Sequence, residues 1–382
     1  RGCRCVGSEL ERQSNRCGVG SSPGAPTRPT NLCDASVVTD PLITNDFRTP
    51  PGWGSGHMQT IRSRVLRQPV DLAPAGKQRT LLVELADGTG DQLSVHLHTS
   101  RLHPAAPNAG GLVTLIHGLG GSAESDYVRA TTLGLLRAGF NVARLDLRGA
   151  GRSVETSTLL YHAGRTDDIR EALAALAREP EASDNRTGEP RIALMGFSLG
   201  GNMTLKLMGE PHADLPLFAA VSVSAPLDLT VGSQFLSKRA LGTYEKFLLA
   251  GLKRQALQPG PGEQLRVSES ERDAIQRART LAAFDDALTA PRNGWRDSSE
   301  YYKVNSSALF LSFIDVPTLV IHALDDPMIP ASPYRSIDWE TLAESGYVQR
   351  RITPRGGHVG FHERDAVQPW YVGQAVRFLS RS

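Results

Sequence analysis

One serine of the sequence stands in a setting that suits nucleophilic chemistry. The motif Gly-Phe-Ser-Leu-Gly at 196–200 follows an apolar run at Arg191–Met195 and precedes a helical pattern at Gly201–Met208. In this strand–turn–helix setting the flanking glycines permit a tight, strained bend, and the helix N-terminus favours developing negative charge. The pattern predicts Ser198 as a nucleophile. A chance Gly-x-Ser-x-Gly turn is the alternative interpretation.

A serine hydroxyl is a poor nucleophile at neutral pH, so Ser198 needs a histidine as base and a carboxylate that orients the histidine. After this kind of motif the acid precedes the histidine along the chain. Asp325 and Asp326 follow a late apolar run, and His358 follows two glycines further on. We therefore predict His358 as the base and Asp326, directly before a proline, as the acid. Asp325 remains the alternative, because Asp-Asp-Pro is also ordinary turn chemistry.

A second glycine-rich segment, His-Gly-Leu-Gly-Gly at 117–121, follows another apolar run. Its glycines let backbone N–H groups approach a reacting oxygen, so the N–H groups of Leu119 and Leu199 are the predicted oxyanion hole. A plain turn between a strand and a helix is the alternative. A phosphate-binding loop is disfavoured, because the Lys and Ser/Thr pair of that motif is missing.

The segment Asp146–Ser153 also combines glycines with charged residues after an apolar run. One interpretation is a loop that braces the oxyanion turn through Arg148. The other is a plain, tight, glycine-rich turn.

The apolar runs that precede these motifs predict the framework. Two early segments, Arg79–Ala86 and Asp91–His98, flank an Asp-Gly-Thr-Gly turn, which predicts an antiparallel entry into a sheet. Continuous apolar character in the later runs indicates strands covered on both faces. Helical patterns occur at Asp167–Arg178 and from Pro369 onward. We predict an α/β fold with a mostly parallel, doubly wound sheet. The later strand candidates are Leu112–Ile116, Val142–Leu147, Arg191–Met195, Ala219–Val223, Pro317–Ile321 and Tyr347–Ile352.

The segment 226–305 breaks the alternation of strands and helices. Its helical patterns, such as Tyr244–Leu252, predict a helical cap inserted over the sheet. An extended surface excursion is the alternative, and it is less favoured because long structureless loops are uncommon in compact domains. The predicted organisation is a disordered tail at 1–40, an α/β core at 41–225 and 306–382, and the cap between the two core segments.

Composition excludes several classes of protein. Hydrophobic residues make up 40% and charged residues 21% of the 382 residues, as in an ordinary globular protein. The net charge of +2, with both signs mixed, argues against a nucleic-acid partner. The sequence contains neither an apolar run of about 18 residues nor an apolar secretory segment at its start. We expect a cytoplasmic monomer without a transmembrane segment.

The four cysteines all lie in the predicted tail, at Cys3, Cys5, Cys17 and Cys33. Their spacing fits no zinc pattern, and the surrounding Gly, Ser, Pro and Arg residues cannot bury a core. A disordered tail is therefore favoured over a metal site or a disulfide staple. We predict neither a metal nor an organic cofactor.

Beyond these motifs, the chain from about Phe47 resembles the YheT-like hydrolases, a branch of the α/β-hydrolase-domain proteins. The resemblance rests on Gly-His-Met-Gln-Thr-Ile at 56–61, Tyr-His-Ala-Gly-Arg-Thr-Asp-Asp at 161–168 and the motifs around Ser198, Asp326 and His358. One departure is Ala-Gly-Arg-Ser at 150–153, where relatives often carry Cys-Gly-Gly-Ser. The resemblance implies the α/β-hydrolase fold and carboxylic ester hydrolysis, with relatives that act on short-acyl esters or phospholipids or transfer acyl groups.

The predicted function is serine carboxylic-ester hydrolysis through an acyl-enzyme, on short- to medium-chain acyl esters or lipids. The partner is then a small acyl ester, with transient contact to a lipid surface. Acyl transfer to an alcohol by the same three residues is the first alternative. A non-catalytic binding protein on a hydrolase scaffold is the second.

Overall fold

The computed structural model describes residues 40, 42–44, 46–66, 70–101, 110–184, 187–364 and 368–382. Apart from Asp40, the predicted tail and its four cysteines lie outside the described residues. Every predicted site residue lies within the described ranges.

Eight strands of the described chain form a single sheet. They are β1 (Gly76–Glu84), β2 (Gln92–Ser100), β3 (Leu112–Ile116), β4 (Asn141–Asp146), β5 (Ile192–Phe197), β6 (Leu217–Val223), β7 (Thr318–Ala323) and β8 (Val348–Thr353). Their order is β1-β2-β4-β3-β5-β6-β7-β8. The first hairpin and the β2–β4 pair are antiparallel, and every later pair is parallel. The predicted antiparallel entry and parallel sheet are confirmed.

Continuous apolar runs form the central strands because both faces of the sheet are covered. Every residue of β3, β5 and β7 is buried. Adjacent residues such as Leu112 and Val113 belong to two different hydrophobic clusters. Successive side chains of a strand point to opposite faces, so these clusters are the two layers of the core. The sheet is thereby a rigid base for the loops at its edge.

Helices precede, connect and follow these strands, and some of them lie in the insertion between β6 and β7. They are α1 (Gly56–Val65), α2 (Asp126–Arg137), α3 (Thr166–Leu176), α4 (Leu199–Gly209), α5 (Leu229–Lys238), α6 (Thr243–Leu257), α7 (Glu269–Arg277), α8 (Leu281–Phe284), α9 (Ala290–Arg292), α10 (Ser298–Asn305), α11 (Ser332–Ser336), α12 (Trp339–Glu344) and α13 (Trp370–Leu379). A π-helical turn at Asp285–Thr289 joins α8 to α9.

Helices α5 to α10 lie between β6 and β7, in the segment for which the sequence predicts a cap. The division into core and cap at 226 and 305 stays a prediction. No helix in the described part of the chain is long and apolar enough to cross a membrane.

Candidate active site

Ser198 lies at a sharp bend between β5 and α4. Its backbone is left-handed, with φ 51° and ψ −120°, and its N–H donates to the carbonyl oxygen of Val223 at 2.9 Å. Such a conformation in a residue other than glycine costs on the order of 1–3 kcal/mol. A Cβ at Gly200 would lie 2.4 Å from the carbonyl oxygen of Ile116, so a glycine is required there. The strained bend predicted from the Gly-x-Ser-x-Gly motif is present.

The three residues predicted to act together lie within hydrogen-bond distance of each other. Nε2 of His358 is 2.9 Å from Oγ of Ser198, and Nδ1 of His358 is 2.9 Å from Oδ2 of Asp326. Because a carboxylate only accepts, Nδ1 carries the proton, and Nε2 accepts from the serine hydroxyl. The arrangement can remove a proton from Ser198.

The two adjacent aspartates have different partners. Oδ1 of Asp326 accepts the N–H groups of Met328 and Ile329 at 2.8 and 2.9 Å, which leaves Oδ2 for the imidazole. Oδ1 of Asp325 instead accepts the N–H of Gly357 at 2.9 Å, and burial raises the pKa of the Asp325 carboxyl. Asp326 is thus in contact with the imidazole, and Asp325 holds the turn before it.

The glycine-rich segment at 117–121 lies against Ser198. A Cβ at Gly118 would be 3.0 Å from that of Ser198. The N–H of Gly118 donates to the Tyr127 hydroxyl at 2.8 Å, and that of Gly120 donates to the Tyr161 hydroxyl at 2.7 Å. These bonds hold the backbone at the two residues that flank Leu119. The two N–H groups predicted as an oxyanion hole, those of Leu119 and Leu199, have no hydrogen-bond acceptor among the described residues.

His117 stiffens this segment as a neutral imidazole. Its Nε2 accepts the N–H of Leu147 at 3.2 Å, so its Nδ1 carries the proton and donates to the carbonyl oxygen of Gly118 at 2.8 Å. Burial lowers the pKa of His117, which keeps the ring uncharged. His117 is therefore a structural residue of the loop.

The brace predicted from the segment Asp146–Ser153 exists, but the prediction that Arg148 provides it is wrong. The guanidinium of Arg148 pairs with Asp168, Asp87 and Asp91 at 2.7 to 3.2 Å. Those carboxylates belong to α3 and to the turn between β1 and β2, where they offset the desolvation of a buried cation. The contact with the segment at 117–121 comes instead from the N–H of Leu147, which donates to Nε2 of His117 at 3.2 Å, and Oδ1 of Asp146 accepts the N–H of Ala123, just after that segment, at 2.7 Å.

Ser198 lines a cavity with an empty volume of about 1210 Å³, the space open to solvent included. Most of the lining is apolar. The insertion between β6 and β7 supplies much of this lining, including the apolar side chains of Leu236, Leu248, Leu252, Leu281, Phe284 and Leu288. Asp285 also lines the cavity; its Oδ2 accepts the Tyr302 hydroxyl at 2.6 Å, and burial raises the pKa of its carboxyl to about 6.

The structure also gives contacts for the two motifs at 56–61 and 161–168, to which the sequence assigns no role. In the first, Gln59 and Thr60 of α1 bind the backbone of the loop that carries His358. In the second, His162 and Arg165 both contact the side-chain oxygen of Asn293, in the insertion. The only sign of these contacts in the sequence is the length of the two motifs, each of which extends over more residues than a simple turn requires.

No group of three or more His, Cys, Asp or Glu side chains within the described ranges is arranged to hold a metal ion.

The sheet, the bend at Ser198 and the residues that meet there define an α/β fold with a serine at the sharp turn between β5 and α4. Residues 111–365 match the α/β hydrolase fold family. The chain is 33% identical to the protein YheT of Escherichia coli, which carries an esterase name, over 83% of this chain and 87% of YheT. It is 29% identical to a monoacylglycerol lipase of Saccharomyces cerevisiae, over 70% of this chain and 58% of the lipase.

Among solved structures, the esterase Pf2001 of Pyrococcus furiosus has a TM-score of 0.53 and 17% identity, covering 81% of this chain and 92% of the esterase. At that identity the likeness concerns the fold alone. The chain belongs to the α/β hydrolase fold family. It is a hydrolase of the carboxylesterase and lipase type, so the predicted fold class and the resemblance are confirmed.

Proposed function

We propose that this protein hydrolyses carboxylic esters through an acyl-enzyme, with Ser198 as nucleophile, His358 as general base and Asp326 as the acid that orients it. The observation that carries the proposal is the pair of 2.9 Å hydrogen bonds that joins these three side chains, with Ser198 in the wall of an apolar cavity. Serine, imidazole and carboxylate in this sequence of contacts form the catalytic unit of serine acyl transfer.

In the first half of the reaction, Nε2 of His358 takes the proton of Ser198 as Oγ forms a bond to the ester carbonyl carbon. Negative charge moves to the carbonyl oxygen, where the N–H groups of Leu119 and Leu199 donate to it. Asp326 stabilises the imidazolium through Nδ1. The intermediate then breaks the bond to the alkoxy oxygen, which takes the proton from His358 and leaves as an alcohol.

In the second half, a water molecule gives a proton to Nε2 of His358 as its oxygen attacks the acyl carbon. The bond between that carbon and Oγ of Ser198 breaks, and the serine recovers its proton from His358. The carboxylic acid is released. Each proton that leaves the imidazole was taken by it one step earlier, so the enzyme returns to its starting state.

The substrate we propose is a short- to medium-chain acyl ester or a lipid. The apolar side chains of α5, α6 and α8 around Ser198 favour an acyl chain, because burying each CH₂ group contributes about 0.8 kcal/mol. We propose the segment 226–305 as the cap that shapes this cavity. A cytoplasmic monomer with transient lipid contact stays our expectation.

Acyl transfer to an alcohol is the second candidate. A Saccharomyces cerevisiae relative, 30% identical over 71% of this chain, is named a medium-chain fatty acid ethyl ester synthase/esterase. Transfer differs from hydrolysis only in the molecule that attacks the acyl-enzyme. Product analysis with ethanol as a competing acceptor separates them: hydrolysis yields the free acid, and transfer yields the ethyl ester.

The central test combines labelling by a fluorophosphonate probe with turnover of 4-nitrophenyl esters from acetate to decanoate. Wild type is expected to label and to turn over, and Ser198→Ala to lose both. Ser345→Ala removes an exposed serine hydroxyl that donates to the carbonyl oxygen of Leu342 and accepts the N–H of Tyr347, so it serves as the matched control. Equal turnover by wild type and Ser198→Ala contradicts the proposal. A wild type that neither labels nor turns over any ester favours a non-catalytic binding protein.

A further inference from the structure

We infer that helix α1 is a clamp for the histidine loop, defined here as residues 354–362, and that Thr60 and Gln59 are positioning residues of the reaction. The inference rests on the proposed function, since both residues act through His358. It gives the Gly-His-Met-Gln-Thr motif at 56–60 a physical role.

Thr60 binds the backbone of the proposed base itself. The N–H of His358 donates to Oγ1 of Thr60 at 2.8 Å, and the hydroxyl of Thr60 donates to the carbonyl oxygen of Gly56 at 2.7 Å. A hydroxyl has one proton and two lone pairs, so it can make both bonds at once. Thr60 therefore ties the His358 peptide to the first turn of α1.

Gln59 holds the far end of the same loop. Its side chain is fully buried. Oε1 accepts the N–H of His362 at 2.7 Å, and Nε2 donates to the carbonyl oxygens of Trp53 and His362 at 2.8 and 3.3 Å. A buried amide with its donors and acceptor satisfied fixes its partners, because breaking any of these bonds leaves a desolvated polar group.

The backbone of α1 also packs against the residues that directly precede the proposed acid and the proposed base. A Cβ at Gly56 would lie 1.8 Å from the carbonyl oxygen of Asp325, next to the proposed acid. A Cβ at Gly357 would lie 2.3 Å from the carbonyl oxygen of Gly56. The first turn of α1 is thus packed between the two loops whose side chains must meet, and it sets their separation.

The histidine loop needs such support because its backbone is strained. Val359 and Phe361 have φ of 53° and 47°, a region that residues with a Cβ rarely adopt, and a β-branched residue least of all. Conformations of this kind persist only where the surroundings hold them. Ser224 supplies one further bond, accepting the N–H of Val359 at 3.2 Å.

Removing the Thr60 hydroxyl should therefore let the loop relax and move Nε2 of His358 away from Oγ of Ser198. Neither Thr60 nor Gln59 lines the cavity, so substrate binding should hardly change. A positioning residue of this kind lowers kcat and leaves KM nearly constant.

The test compares Thr60→Val with Thr60→Ser, using 4-nitrophenyl butyrate turnover and the rate of fluorophosphonate labelling. In Thr60→Val, kcat and the labelling rate are expected to fall about ten- to a hundredfold, since small displacements at a reacting pair have effects of that size. KM should stay within about twofold of wild type. Thr60→Ser keeps the hydroxyl and should stay within about threefold of wild type in kcat.

Thr132→Val is the matched control. The Thr132 hydroxyl donates to the carbonyl oxygen four residues before it at 2.8 Å, as that of Thr60 does, but in α2 and with no bond to the histidine loop. A kcat loss of the same size in Thr132→Val, or wild-type kcat in a folded Thr60→Val, overturns the inference. Ser198→Ala separates this failure from a failure of the proposed function, because an active Ser198→Ala rejects the function itself.

Discussion

Two regions meet at Ser198, the loops at the strand ends that carry its partners and the helical insertion that closes the cavity. Four of the five non-glycine residues with positive φ within the described ranges belong to the first region, namely Ser198, Ser224, Val359 and Phe361. The fifth, Glu263, lies in the insertion. The strand-end region also uses side chains to hold successive backbone N–H groups, those of Gly357, His358 and Val359.

The insertion is built in a simpler way. Its helices begin with ordinary caps, such as Asp228 and Ser268, and they present leucine and phenylalanine to the cavity. The difference teaches where geometric accuracy is needed. Proton transfer requires atoms placed to within tenths of an ångström, whereas an acyl chain requires only apolar volume. We expect substitutions in the first region to change kcat and those in the second to change substrate preference.

The largest expected effect separates the two aspartates. Asp326→Asn should lower kcat on the order of 10⁴-fold, because an amide cannot hold the imidazole in the tautomer that accepts the serine proton. Asp325→Asn keeps an oxygen for the N–H of Gly357 and should lower kcat less than about tenfold. The measurement is kcat on 4-nitrophenyl butyrate. The reverse order of effects would make Asp325 the acid.

Tyr161 links the two regions and gives the next largest effect. Its hydroxyl accepts the N–H of Gly120 at 2.7 Å and donates to Oε1 of Gln255, on α6, at 3.4 Å. Tyr161→Phe leaves the Gly120 N–H unpaired and should lower kcat about tenfold, since the oxyanion segment loosens. Tyr347→Phe, at an exposed tyrosine, is the control. Unchanged kcat in Tyr161→Phe would show that the segment holds without this bond.

A smaller effect tests the insertion alone. Phe284→Ala enlarges the cavity and should raise the ratio of kcat/KM for decanoate over butyrate esters about five- to tenfold, while kcat on butyrate changes little. Phe313→Ala, at a phenylalanine 68% exposed, should leave the ratio unchanged. Loss of kcat without a change in the ratio would contradict the proposed division of roles.

The smallest effect on activity is expected at Asp285, whose carboxyl has its pKa raised from 3.8 to about 6 by burial. The folded state binds this proton more tightly than the unfolded state, so stability falls as pH rises from about 4 to 6. At about 1.4 kcal/mol per pKa unit, the free energy of unfolding is at most about 3 kcal/mol lower above pH 6 than below pH 4. Asp285→Asn should remove this dependence, as measured by urea unfolding between pH 4 and 7. If the free energy of unfolding changed with pH equally in wild type and Asp285→Asn, the proposed role of the Asp285 carboxyl would be contradicted.

Much of the framework could be predicted from the sequence because its signals are local. The bounds of β3 agree residue for residue with the predicted run Leu112–Ile116, and the other predicted strands differ by no more than three residues at either end. Apolar runs reveal strands buried on both faces, and glycine spacing reveals the bend at Ser198. The roles of α1 and Tyr161 could not be predicted, because Thr60 and His358 are 298 residues apart and no periodicity relates them.

Local order therefore follows from the sequence itself: strand, bend and helix depend on neighbours a few residues away, through backbone sterics and side-chain period. Tertiary packing alone decided that the side chains of Ser198 and Asp326 each lie 2.9 Å from a ring nitrogen of His358. It also decided which of the two adjacent carboxylates reaches the imidazole, and how large a cavity the insertion leaves. The physical reason is that these distances depend on how separate elements settle against one sheet. A shift of one element by an ångström changes them without altering any local pattern.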